Sequence, residues 1–173
     1  MNEYYEKQLS LGQEYQDFIA DQLWLLRRWP IQNYSSLRYQ LLKGENPQGV
    51  EIKHDTRMSQ TGNLYIEISE CNEPNRPHVS SGIYAGHSKC YLIGDYNRAF
   101  LFYTKKLQDI HKQNICNVIT IDRTTSRGFL LPIKDVRKNQ WMIEEFVFAN
   151  GDIDERQIDF VSEHKGTAAG RSF

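Results

Sequence analysis

The residues with the most chemical promise lie between Gly49 and Glu70, in the run GVEIKHDTRMSQTGNLYIEISE. Read as two strands, VEIKHDTR (50–57) and NLYIEISE (63–70) send alternate side chains to opposite faces. On the first strand Glu51, Lys53 and Asp55 share one face, while Ile52 and His54 share the other. On the second, Tyr65, Glu67 and Ser69 face one way and Leu64, Ile66 and Ile68 the other, so the apolar face must be buried. If the strands form a hairpin across the turn-like MSQTG, Asp55 and Glu67 become neighbours on the polar face. Two carboxylates held a few ångströms apart repel each other unless a cation or a proton intervenes. An oxygen-rich, imidazole-poor pair of this kind suits Mg²⁺ or Mn²⁺ rather than zinc. The same alternation also describes the ordinary solvated face of an antiparallel sheet, and spacing alone does not separate the two readings.

The elements that must position these residues follow from periodicity. From Glu3 to about Arg28 the apolar residues Leu11, Tyr15, Phe18, Ile19, Leu23 and Leu26 repeat at helical spacing, which predicts a long amphipathic helix closed by Pro30. Residues 35–42 are a weak strand candidate, and GENPQG (44–49) is a turn by its Gly, Asn and Pro content. After 63–70 come a two-proline loop (71–82), a short helix near SGIYAGHSK with Ser81 as its cap, and the strand CYLIG (90–94). Residues 99–104 form another strand after a turn at 95–98, and 105–113 a short helix. Extended segments follow at 117–122 and 127–133, then a turn of helix at KDVRKN and a late strand at 144–149. The expected class is α/β, with a mixed sheet flanked by helices. The expected organisation is one domain over 1–163 and a small, polar, disordered tail over 164–173.

Bulk composition sets limits. The chain has 173 residues, 21 Lys plus Arg and 22 Asp plus Glu, for a net charge of −1. That excludes the strongly basic class of nucleic-acid binder but not a local basic groove. No apolar run approaches the ~20 residues of a membrane span, and the acidic N-terminal residues do not read as a secretory signal, so a soluble, cytoplasmic protein without a membrane partner is expected. Cys71, Cys90 and Cys116 are odd in number and lack CxxC spacing, which fits a reducing compartment rather than a disulfide framework. His87 and Cys90 have HxxC spacing without a second ligand pair.

GVEIKHD with Asp55 at the strand end, eleven intervening residues, and Glu67-Ile68-Ser69 together resemble the PD-(D/E)xK nuclease superfamily. Glu14 matches the acidic residue that many members carry on the preceding helix, and TGNLYIEI and SSGIYAGHSKCYLI are similar to segments of small phage and prophage-type members. The resemblance covers roughly residues 8–135. It implies a restriction-endonuclease-like fold and metal-assisted hydrolysis of DNA phosphodiesters. Asp55 and Glu67 would hold Mg²⁺ (or Mn²⁺), with the Ile68 carbonyl as an extra ligand and Glu14 as an outer one. The family lysine falls at Ser69, and Lys53, about 7 Å from Asp55 on the same strand face, is the physical substitute. It would orient water or stabilise charge developing on the phosphate. A second alignment treats Glu51-Ile52-Lys53 as the motif element, with Glu45 as its upstream acid.

The resemblance further implies DNA as partner, branched and single-stranded forms included, and a homodimer. Arg57, Lys105, Lys106, Arg123, Arg127, Lys134, Arg137 and Lys138 are candidates for a phosphate-tracking groove. Tyr84 is a candidate base-stacking or packing residue, while Trp24 and Trp29 read as core or helix-docking residues. Two alternatives stand beside the nuclease. One is a non-catalytic nucleic-acid-binding or protein-interaction module on the same fold, which Ser69 favours. The other is a Cys/His hydrolase using Cys71 or Cys90 with His78 or His87, although neither cysteine sits in a strand–turn–helix nucleophile turn.

Overall fold

Tyr15, Ile19 and Leu23 repeat every four residues and are fully buried, which gives the first helix, α1 (Glu3–Arg27), a single apolar stripe. Arg28 takes a left-handed conformation (φ 54°) and ends the helix two residues before Pro30. The computed structural model describes residues 3–34, 45–71, 76–86, 88–121 and 126–148. The strand candidate at 35–42, His87, Arg123 and the tail at 164–173 lie outside the described residues.

The chain is mixed α/β, built on two four-stranded sheets flanked by helices. The first sheet has β1 (Val50–His54) parallel to β4 (Cys90–Gly94), then β5 (Arg98–Tyr103) and β8 (Glu144–Val147) antiparallel. The second is wholly antiparallel. It runs from the short β3 (Val79–Ser80) through β2 (Asn63–Glu70) and β7 (Ser126–Pro132) to β6 (Val118–Thr120). Among the described residues three further short helices follow: α2 (Met58–Thr61), α3 (Thr104–Lys112) and α4 (Ile133–Asn139). A 3₁₀ turn (Gly82–Tyr84) follows β3.

The hairpin expected between 50–57 and 63–70 does not form. β1 pairs with β4 and β2 with β7, so the two strands belong to different sheets. The turn-like MSQTG is helix α2, which carries the chain from one sheet to the other. Its Met58 is fully buried and anchors the crossing.

Two cores result. The α1 stripe covers Val50, Ile52, Leu92, Ala99, Leu101 and Phe146 on one face of the first sheet. Tyr91, Ile93, Phe100 and Phe102 on its other face join Leu64, Ile66, Phe129 and Leu131 of the second sheet, with α3 contributing Leu107 and Ile110. Each such side chain contributes on the order of 1.5–3 kcal/mol by leaving water. Of the two outlying tryptophans, Trp29 packs against the helix-side core, while Trp24 is exposed beneath the Arg28 guanidinium. No helix among the described residues is long and apolar enough to cross a membrane.

Candidate functional site

Asp55 stands directly after β1, and its backbone N–H donates to Gly94 O at 2.8 Å, which extends the β1–β4 pairing by one residue. Its carboxylate then turns to the other sheet. Oδ1 accepts the Arg57 N–H at 3.0 Å, and Oδ2 accepts the Tyr65 N–H of β2 at 2.9 Å. Asp55 therefore stitches the end of one sheet to the edge of the other, bringing Asp55 and β2 together without the expected hairpin.

Glu67 is half-buried on β2, and hydroxyls hold both of its oxygens. Ser81 Oγ donates to Oε1 at 2.6 Å and Ser126 Oγ to Oε2 at 2.7 Å. Tyr65 OH lies 2.8 Å from the same Ser126 hydroxyl, forming a Tyr65–Ser126–Glu67 chain. Two backbone features make this possible. Ile68 has no partner in the β2–β7 register, a β-bulge beside Glu67 of the kind that re-aims side chains. Gly128 lets the Tyr65 ring lie across its strand, since a Cβ there would sit 2.7 Å from that ring. Ser81, expected as a helix cap, makes no cap bond and serves Glu67 instead. The Ile68 carbonyl accepts the Ser81 N–H at 3.2 Å.

Lys53, Asp55 and Glu67 line one cleft of about 430 Å³, together with Arg57, Tyr65 and Tyr91. The Lys53 ammonium pairs with Glu51 at 3.0 Å and Glu45 at 3.3 Å. Burial acts to lower its affinity for the proton, but the two carboxylates outweigh burial and hold it well above the ordinary lysine value. Burial pushes the Glu51 carboxyl up, against the opposing pull of Lys53. Glu45, Glu51 and Lys53, the residues of the second alignment, are in contact, and Glu45 Oε2 also accepts the Ile52 N–H at 2.9 Å.

A prediction follows from this cluster. Lys53→Met leaves Glu51, only 6% exposed, without its cation and should cost about 1–3 kcal/mol at neutral pH. A carboxyl raised in the folded state adds stability below its unfolded pKa and loses it as pH rises through the folded value. The variant's deficit should therefore narrow as pH falls and Glu51 takes up a proton, a trend that urea unfolding at several pH values will reveal.

Glu14 is exposed on α1, accepts a bond from Ser10 at 3.0 Å and does not line the cleft. Ser69 Oγ lies 3.5 Å from His78 Nδ1. His54 turns to the helix side, stacks on Tyr15 with centroids 4.4 Å apart, and is held below the ordinary histidine value by burial. Tyr84 is a packing residue whose hydroxyl meets His111 Nδ1 at 2.9 Å. Of the basic candidates, Arg57 lines the cleft, while Lys134 and Arg137 line a neighbouring cavity that shares Thr61 and Asn63 with it. Lys105 is paired with Asp109 and Arg137 with Glu145. Burial pushes the Cys90 thiol up, opposite to the shift an activated nucleophile needs. In the sequence Ser81 reads as a helix cap and Ser126 carries no signal, because a hydroxyl distant in the chain has no spacing that ties it to Glu67.

Among the described residues no group of three or more His, Cys, Asp and Glu side chains could hold a metal ion. Mg²⁺, however, is commonly bound by one or two carboxylates plus substrate phosphates. Asp55 and Glu67 supply hard oxygens to the same cleft, and each oxygen keeps a lone pair beyond the hydrogen bond it accepts. Their chemistry fits that ion. Comparison of the chain with protein-family models, with curated proteins and with solved structures finds no match.

Proposed function

We propose that the chain is a metal-dependent nuclease of restriction-endonuclease-like fold that hydrolyses DNA phosphodiesters in the cleft lined by Lys53, Asp55 and Glu67. The observation that carries this reading is that two carboxylates from separate sheets, a lysine and Arg57 line one cleft. Asp55 and Glu67 would hold Mg²⁺ or Mn²⁺, which when bound polarises a phosphate and lowers the pKa of coordinated water. The protein's own part is positioning. Backbone N–H groups fix the Asp55 carboxylate, and Ser81 and Ser126 fix that of Glu67. Arg57 offers a cation to the scissile phosphate, and Lys53, anchored by Glu51 and Glu45, lines the same cleft.

The pairing of Lys53 favours a second reading, a non-catalytic nucleic-acid-binding or interaction module, because an ammonium already held by two carboxylates is less available to a water or phosphate. One assay separates the two. Purified protein is incubated with linear, branched and single-stranded DNA and Mg²⁺ or Mn²⁺, beside Asp55→Ala and Glu51→Ala. Cleavage by the wild type that Asp55→Ala abolishes supports the nuclease. Binding of DNA without cleavage of any form supports the module. Loss of activity in Glu51→Ala with retention in Asp55→Ala would move the site to the Glu45–Glu51–Lys53 cluster.

A further inference from the structure

The cleft lining is part polar and part apolar. Lys53, Asp55, Arg57 and Glu67 line it, and so do Ile93, Ile119, Leu130 and Tyr65. Strand register explains how they meet. Glu67, Gly128 and Ile119 lie in one row across β2, β7 and β6, and Tyr65 and Leu130 lie in the next row on the same face. Leu130 is thus a diagonal neighbour of Glu67, about 7–8 Å away. It is 41% exposed although it stands on a central strand of its sheet.

A single exposed leucine needs no explanation. An apolar wall running beside a carboxylate within one cleft does, because a phosphodiester backbone by itself offers it nothing to bury. A nucleobase whose own phosphate sits at the carboxylates would cover that wall. In a duplex the base is stacked and paired, and reaches such a wall only when pulled out of the helix. A cleft of about 430 Å³ is also of the size that holds one small-molecule-sized group. It is small beside a duplex whose major groove alone is about 12 Å wide.

We propose that the cleft takes single-stranded DNA, with one unstacked base lying against Leu130, Ile119 and Tyr65 while its phosphate faces Asp55 and Glu67. This assigns the substrate form for the nuclease reading and depends on that reading. Stacking and apolar contact tolerate any base, so the preference is for strandedness rather than sequence.

The test uses the full chain with Ca²⁺ in place of Mg²⁺, a hard cation that keeps the phosphate from facing bare carboxylates, and as probes a fluorescein-labelled 20-mer oligothymidylate and a duplex of the same length, each checked on a gel to be uncut. Wild type should bind the single strand at least about ten-fold more tightly than the duplex. Leu130→Ser, at a site exposed enough to leave the fold intact, should weaken single-strand binding about 3- to 10-fold and leave duplex binding unchanged. Leu130→Trp should show indole quenching on adding the oligothymidylate and none with the duplex. Equal or tighter binding of the duplex by wild type would overturn the proposal, as would an unaltered single-strand affinity in Leu130→Ser without quenching in Leu130→Trp. A wild type that neither binds nor cuts any DNA overturns the nuclease reading itself, whereas duplex cleavage indifferent to Leu130 overturns this inference alone.

Discussion

Glu67→Gln is expected to reduce DNA cleavage by more than about a hundred-fold while leaving the unfolding midpoint nearly unchanged. The substitution keeps the shape of the side chain and one carbonyl oxygen, but removes the charge. The cradle can absorb it, because Ser81 and Ser126 each carry a hydroxyl that rotates to donate or to accept. What it cannot restore is a hard anionic oxygen for a divalent cation. Ser126→Ala is the graded companion. It frees one Glu67 oxygen and breaks the link to Tyr65, so a loss of about ten- to a hundred-fold is expected, the usual range for a residue that orients a metal ligand. Cleavage rates at saturating Mg²⁺, measured beside thermal unfolding, check both. Full activity in Glu67→Gln would remove this residue from the site.

The second large effect is expected from a residue with no functional group. Gly82 opens the 3₁₀ turn after β3 with φ +50°, and a Cβ there would lie 2.3 Å from Glu67 O and 2.8 Å from Glu67 Cβ. Gly82→Ala therefore meets a left-handed backbone conformation and a collision with main chain that cannot rotate away. The expected cost is about 2–4 kcal/mol. For a chain of this size that amounts to a fall in Tm of roughly 5–15 °C. The strain falls on the segment that aims Glu67 and on Ser81, its hydroxyl partner, so the folded fraction should also lose activity. Chemical unfolding and cleavage per folded molecule would separate the two contributions. An unchanged midpoint would show that the turn relaxes more freely than its packing implies.

Much of this architecture is legible in the sequence, for reasons that can be named. The alternation in NLYIEISE gives β2 its full extent, because one face is wholly apolar and the other polar. The four-residue repeat of Tyr15, Ile19 and Leu23 gives α1 its buried stripe. Strand pairing is less legible. VEIKHDTR reads as a hairpin partner for β2 because the two are adjacent in the chain, but β1 pairs with β4 some forty residues on, in parallel. Alternation reports which side chains share a face and is silent about which strand lies beside which.

The site divides along the same line. Asp55, Glu67 and Lys53 line one cleft, and what brings Asp55 to β2 is a carboxylate bridging two sheets rather than the cross-strand pairing expected from their faces. Lys53 shares its face with Glu51 as well as Asp55, and the strand pattern could not say which acid it would join. Glu14, expected as an outer ligand from the preceding helix, is exposed and does not line the cleft. The bulge at Ile68 and the serine cradle depend on contacts between residues far apart in the chain, which no local pattern announces.

Metal-dependent cleavage in this cleft requires Asp55 and Glu67 together to hold a divalent cation. The most direct test is a titration of the purified chain with Mn²⁺, following the free ion by electron paramagnetic resonance, beside the Asp55→Asn/Glu67→Gln double variant. Saturable Mn²⁺ binding by the wild type that Mg²⁺ displaces and the double variant lacks is the predicted result. Mn²⁺ binding by the double variant as tight as that of the wild type would contradict it.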